Sequence, residues 1–331
     1  MQRKIIYLKP HSSFRAAMRS DTLWGALCWG MRMLYGKDYL EAFLESYQTP
    51  DSKVKPFYIS SAFPFLEKNN QRIPFLPPPV RPVEYYKESA GKSYEEEKRQ
   101  MRRWKTAGDN QWISKVQFEY AFCGITPAPK QLVGHPAIEV RPMTHNTIDR
   151  LVGSTLTANN RGQLFHTEER YVLEKERKQN AGLYFLAAGN TDLLESVLRL
   201  LEHLGIGGDR SIGKGRFDME WEDFDIHEPS DANGLMALSL YHPNPEELSK
   251  LEKSQDPVLN YKTIVRQGWK AAHNKKPVLY LEEGSVIPIL SDKQVWGRNA
   301  YAGEHEQGYP ITQYGHGFMI KVKVKIPTHE N

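Results

Sequence analysis

Five glycines, two arginines and one lysine fall within thirteen residues, 205–217 (GIGGDRSIGKGRF), between two clearly patterned elements. Before them, residues 192–204 (DLLESVLRLLEHL) place Leu193, Leu194, Val197, Leu198, Leu201 and Leu204 on one helical stripe. Thr191 or Asp192 can cap that helix, and Gly205 can end it with a positive φ. After them, Phe217, Met219 and Trp221 alternate with Asp218, Glu220 and Glu222, which is the period of a strand. The inner part, from Gly208 to Lys214, follows the nucleotide-binding P-loop pattern up to Gly215, where a Ser or Thr would be needed to hold magnesium. A P-loop also runs strand, loop, helix, so that a helix N-terminus faces the phosphates. Here the order is helix, loop, strand, and the P-loop reading is excluded. What remains is a loop whose backbone at Gly208, Gly213 and Gly215 can approach a ligand with no side chain in the way. Arg210, Ser211, Lys214 and Arg216 edge it. Amides and cations together suit a chain of phosphates; a polar surface loop with incidental cations has the same composition.

The bulk properties narrow the class. A chain of 331 residues has room for two domains, and 40% hydrophobic with 25% charged residues is the balance of a folded protein. A net charge of +4 is only mildly basic, so any nucleic-acid surface must come from local clustering. Cys28 and Cys123 have neither zinc spacing nor a disulfide framework, and no cofactor motif or metal triad is visible. The opening MQRKIIYLKPH has too short an apolar run for a signal peptide, and no membrane-length run follows. A cytoplasmic chain without membrane contacts is expected.

Along the chain, residues 4–8 read as a strand and Ser20 as the cap of a helix carrying Leu23, Leu27, Met31 and Leu34 up to Gly36. Strands follow near 57–62 and 182–188, then the helix at 192 and the strand after 215. This is an α+β, ferredoxin-like order with a large insertion, about residues 64–170. A second module begins after the acidic stretch 220–231, with strands at 235–241, 278–281 and 286–290 and a helix at 245–253 opened by proline. Near its end, Gly315-His-Gly317-Phe318 enters a strand in which Lys321, Lys323 and Lys325 alternate with apolar residues, as Gly213-Lys-Gly215-Arg-Phe217 enters its own. The parallel points to an internal repeat, and the lysines read first as a solvated face. The expected domains are 1–227, with the glycine-rich loop at 205–217, and 228–331.

The insertion has its own character. Pro74, Pro77, Pro78, Pro79 and Pro82 impose an extended segment excluded from interior sheet or helix. Residues 94–105 (YEEEKRQMRRWK) read as an exposed charged helix, an RNA arm or, with Trp104 and Trp112, a docking surface. In residues 142–170, His145, Asp149, Arg150, Asn159, Asn160, Arg161, His166 and Arg170 interleave with Thr147, Ile148, Leu151 and Leu156. That suits a hairpin touching an RNA backbone with one face and wedging apolar groups among bases with the other. Asp149 and Arg150 pairing with each other is the alternative.

Three stretches together carry a resemblance: the glycine-rich loop ending in G-K-G-R-F; His11-Ser-Ser-Phe14 followed by Arg19-Ser20-Asp21-Thr22-Leu23-Trp24-Gly25-Ala26-Leu27; and His145-Asn-Thr-Ile-Asp-Arg150. In this order they resemble the RAMP superfamily of CRISPR proteins and, within it, the fourth Csm subunit of type III-A effector complexes. The resemblance runs over residues 4–325 and is weakest at 85–131. It implies two tandem ferredoxin-like, RRM-related domains, the first bearing a thumb hairpin. It further implies a non-catalytic subunit that captures the five-prime handle of crRNA in antiviral defence. The implied protein partners are the large polymerase-like subunit and a backbone-filament subunit. The RNA-binding residues carried over are His11, Arg19, Ser20, His145, Ile148, Arg150, Arg161, Gly208, Arg210, Ser211, Gly213, Lys214, Gly215 and Arg216, with Ile148 and Leu151 at a kink in the RNA. The equivalent subunit of a type III-B (Cmr) complex fits the same residues. Some relatives cut RNA with a histidine, so a crRNA-processing endoribonuclease using His11 or His145 stands as the alternative from another class.

Overall fold

The computed structural model describes residues 2–49, 52–80, 112–125, 136–158, 161–174, 180–270, 273–305 and 308–324. The expected helix at 94–105, Trp104, Pro82, Asn159, Asn160 and Lys325 lie outside them. The first half runs β1 (Arg3–Pro10), α1 (Ser20–Glu45), β2 (Phe57–Ile59), β3 (Phe63–Lys68), β4 (Gln71–Leu76), β5 (Ile113–Ser114) and α2 (Lys115–Phe122). A long two-stranded ribbon, β6 (Pro136–Asn146) and β7 (Leu164–Glu174), follows, then β8 (Asn180–Gly189), α3 (Thr191–Leu204) and β9 (Phe217–Phe224). The second half contributes β10 (Gly234–Ala237), α4 (Pro245–Glu252), β11 (Val286–Pro288) and β12 (Met319–Val322), with several shorter strand pairs between them.

Alternation in β1 sends Ile6 and Leu8 to one face of the main sheet and Ile5 and Tyr7 to the other, and all four are buried. The sheet is antiparallel in the order β9-β1-β8-β3-β4-β5, with β2 pairing the end of β8. Its first face is covered by α1 and α3: Ile6, Leu8, Leu183 and Phe185 pack with Leu23, Leu27, Met31, Leu194, Val197 and Leu201. The second face is covered by the other half of the chain. There Ile5, Tyr7, Tyr184 and Leu186 share a core with Met236, Leu238, Val286, Phe318, Ile320 and Val322. These residues come from the second sheet, ordered β11-β10-β12, and its flanks. Among the described residues the second half has one helix, α4, fixed by an Asn244–Glu247 capping box with Pro245 in its first turn.

Several local expectations change in the folded chain. Ser20 does not cap α1: Arg19 stands at the cap with no side-chain bond, while Ser20 Oγ accepts from Leu240 N of the second half at 3.1 Å. Asn190, rather than Thr191 or Asp192, caps α3 by accepting from Leu193 N. Gly36 marks a break with φ 86°, but the helix resumes and reaches Glu45. Pro74 lies inside β4, paired with Phe65, near an edge of the sheet where proline is tolerated. Trp112 is half-buried beside Phe63, their rings 6.0 Å apart, so it is no open docking group. The motif at Gly315–Gly317 is buried, and a Cβ on either glycine would strike neighbouring atoms, so it is a packing device rather than a ligand loop. On β12, Ile320 and Val322 are buried while Lys321 faces solvent, as a solvated face requires.

Candidate nucleic-acid interface

The glycine-rich loop is a folded knot. Gly205 ends α3 at φ 79°, and Ile206, buried at 1% exposure, anchors the loop in the core under α1. Its two ends meet, with Ile206 N–H donating to Gly215 O at 2.8 Å. Gly215 has φ 69°, and a Cβ there would fall inside the radius of Ile206 O. Glycine at 215 therefore serves approach of the chain to itself, not to a ligand, and Gly215 is removed from the contact surface. Between the ends a single 3-10 turn, Arg210–Ile212, projects outward. Amides of Ile212, Gly213 and Lys214 are bonded inside the loop, while those of Gly208, Asp209, Arg210 and Ser211 find no backbone acceptor among the described residues. Gly213 has open space around its Cα. The outward-facing part is thus the short crest 208–213.

The segment after β1 sews this knot to the ribbon. His11 N–H donates to Arg216 O at 2.9 Å, Arg216 N–H to Ser12 Oγ at 3.2 Å, and Gly215 N–H to Ser13 O at 2.9 Å. Ser13 Oγ then donates to Glu169 of β7 at 2.7 Å and accepts from Lys214 Nζ at 2.8 Å. Lys214 also pairs with Glu169 at 2.9 Å, and Tyr171 O–H donates to the same carboxylate at 2.8 Å. Phe14 and Arg170 exchange both backbone hydrogen bonds, and Arg15 pairs with Asp209 at 2.9 Å. Burial pushes the Glu169 carboxyl upward, but the bonds from Lys214, Ser13 and Tyr171 and the lysine charge outweigh it and hold the group down to about 2. This node fixes the loop, the β1 exit and the ribbon in one frame.

The ribbon itself runs in unbroken register from Pro136↔Glu174 to Asn146↔Leu164. Beyond that, Ile148–Asp149 pairs with Ser154–Thr155, and Thr157–Ala158 with Arg161–Gly162. Its far end is apolar and bare: Leu151 is 96% exposed, Val152 70% and Ile148 54%. Asp149 does not pair with Arg150; its carboxylate accepts from Leu151 N. Phe165 stacks on His145, and His145 Nε2 lies 2.8 Å from Thr167 Oγ1.

The sequence-derived contact residues therefore divide. Arg150, Gly208, Arg210, Ser211 and Arg216 lie exposed, with Gly213 beside them. Arg150, Arg210 and Arg216 have no carboxylate partner among the described residues. Arg161 lies on its short strand near the end of the ribbon. Lys214 is neutralised by Glu169. Arg19 sits at the junction of the two halves, 3.2 Å from Glu282 and 3.4 Å from Glu283. Ser20 is fully buried and cannot reach a ligand, and Asp21 binds Arg266 at 2.8 Å. The Arg19–Thr22 motif thus joins the halves, a role that spacing along one chain does not reveal. His11 is exposed with its Nε2 2.6 Å from Asp218. Sequence reasoning missed Arg15, Glu169 and Phe165 and gave Ser13 no role of its own: they converge only when β7 is placed against the exit of β1, and no period along the chain marks them.

Residues 11–218 match the family model of the RAMP superfamily, and residues 230–322 match that of the CRISPR Csm4 C-terminal domain. A protein of Thermococcus onnurineus (strain NA1) named CRISPR system Cms protein Csm4 is 24% identical over 286 residues, covering 85% of this chain and 86% of the relative. One of the same name from Methanocaldococcus jannaschii is 31% identical over 161 residues, 42% of this chain and 40% of its own. Among solved structures, a chain of a Csm1–Csm4 cassette in complex with cA4 superposes with a TM-score of 0.59 at 19% identity, covering 99% of this chain and 100% of that one. A chain of a Csm3–Csm4 subcomplex in the type III-A CRISPR–Cas interference complex gives 0.53 at 17% identity, with 96% and 99% covered. At these identities the superpositions speak for the mixed α/β fold alone.

Proposed function

This chain belongs to the RAMP superfamily, and from that premise we propose that it is the Csm4-type subunit of a type III-A CRISPR effector, a non-catalytic RNA-binding protein of antiviral defence that captures the five-prime handle of crRNA in the cytoplasm. The observation that carries the reading is the shared frame of crest and ribbon. The Ser13–Glu169–Lys214 node holds a glycine crest with open amides beside a ribbon with a bare apolar end. Arg150, Arg210 and Arg216 supply charge without carboxylate partners among the described residues. Backbone capture at the crest and splaying of bases at the ribbon end, the thumb of this reading, is the division of labour single-stranded RNA requires.

The fold supports placing the RNA there and not on the sheet. We read the order β9-β1-β8-β3 as a ferredoxin-like domain, in which RRM proteins stack bases on the open sheet face. Here that face is filled by the second half, so the ligand surface has moved to loops and ribbon. We place the domain boundary at 227/228, in keeping with the two family matches, and read the second half as a further ferredoxin-like unit built on β11-β10-β12. Relatives solved with Csm1 and with Csm3 support docking to a large polymerase-like subunit and to a filament subunit.

The test is titration of the pure chain with single-stranded RNA carrying the handle, against a scrambled RNA, over a range of salt. Three phosphate contacts from Arg150, Arg210 and Arg216 give a fall in log affinity of about 2 per decade of salt; a slope near zero overturns the reading. A second reading, a metal-independent endoribonuclease, draws on His11, whose ring a carboxylate orients. Precursor RNA incubated with the chain in EDTA decides: binding without product supports the scaffold, and cleavage lost in His11→Ala supports the enzyme.

A further inference from the structure

We propose that the ring of Phe165, backed by His145, is a stacking platform for one unpaired nucleobase. This rests on the RNA-binding reading above and adds to it a specific base site that the sequence did not disclose. Register places Phe165 directly opposite His145 on the same face of the ribbon. Their ring centroids are 5.1 Å apart at 18°, an offset parallel stack. The His145 ring is held in turn by Thr167 Oγ1 at 2.8 Å from Nε2, and Thr167 is buried at 7% exposure. One face of the Phe165 ring therefore rests on a fixed support. Yet the residue is 48% exposed, so the opposite π-face is turned to solvent in a set orientation. A half-open aromatic on a rigid backing is a base-sized site.

Charge selects a nucleic acid over an apolar protein surface as the occupant. Between Glu139 and Glu169 the ribbon's carboxylates are engaged: Glu139 with Arg141, Glu168 with Arg170, Glu169 with Lys214, and Asp149 with the amide of Leu151. Arg150 near the ribbon end and Arg216 at its root keep their charge unpaired among the described residues. A strand of phosphates running between those two arginines passes along the ribbon that carries Phe165. On the same face Phe165 lies four residues from Glu169, about 13 Å at the usual strand rise, which is within a few nucleotides of the crest.

The experiment uses the full chain and a single-stranded RNA with 2-aminopurine at successive positions, read by fluorescence quenching and by affinity. Wild type quenches at one position. Phe165→Ala abolishes that quenching and weakens binding roughly 5- to 150-fold, the range for losing one stacked base. The salt slope stays as in wild type, because no phosphate contact is lost. Phe165→Leu keeps the apolar bulk and loses the quenching, whereas Phe165→Tyr keeps both; a general packing role would make Leu and Tyr behave alike. If Phe165→Ala retains affinity and quenching while Arg216→Ala weakens binding, the platform is overturned and the RNA-binding reading survives. If wild type does not bind RNA at all, both fall.

Discussion

Glu169 is the side chain on which the candidate interface turns. It is buried, and it takes hydrogen bonds from three groups on three separate segments: Ser13, Lys214 and Tyr171. Glu169→Gln keeps the shape but leaves the Lys214 ammonium without a counter-charge, at a cost of about 1–3 kcal/mol to folding, measurable by denaturant unfolding. The pH dependence has a definite sign. A carboxyl held near 2 in the folded chain and near its ordinary 4.5 when unfolded contributes stability that is complete above about 4.5. That stability drains away as pH falls toward 2, and in Glu169→Gln this part of the acid sensitivity disappears. The same substitution frees Lys214 for phosphate, so the salt slope of RNA binding steepens by about 0.7. Lys214 itself shows what a sequence can and cannot disclose. Its charge and its glycine neighbours are plain in the string, but its partner lies 45 positions away on the ribbon, and pairing cancels the property for which it was singled out.

Among elements, the glycine knot and the ribbon have opposite tolerances. Gly215→Ala places a Cβ against Ile206 O at a φ of 69°, so it breaks the closure of the knot and destabilises the chain by more than about 3 kcal/mol. Gly213→Ala meets no atom within 4 Å and pays only for its φ of 85°, about 1–2 kcal/mol. Thermal melts of the two variants side by side check the order. At the ribbon end, Leu151→Ala leaves stability within about 0.5 kcal/mol, because the side chain is almost wholly exposed. Its effect is expected in RNA binding alone. The helix at 192–204 and the strand after 215 were readable from periodicity because each buries one side of a regular element. The ribbon was readable only as a polar stretch with scattered apolar residues: it is exposed on both faces over much of its length, and its alternating buried positions Thr167 and Glu169 are polar, so no apolar stripe sets a period.

Across the molecule, the decisive fact is that the main sheet is buried on both sides. Leu238→Ala, in the core shared by the two halves, is expected to cost about 2–5 kcal/mol. Both halves then lose structure in one transition, seen as coincident midpoints by circular dichroism and tryptophan fluorescence. A fragment of residues 1–227 bares Ile5, Tyr7, Tyr184 and Leu186 and self-associates, which light scattering detects. The β1 sequence already carried this information in part, since IIYL is apolar at every position and not at alternate ones. Local patterning was enough for β1, the start of α1, β8, α3, β9 and the glycine-rich turn, because backbone propensity and burial of one face act over a few residues. Which cations remain free for a ligand, which glycines serve the chain itself, and which face of the sheet is closed depended on pairings across the folded chain. Those pairings are set by packing and counter-charge between segments that no spacing along the chain brings together.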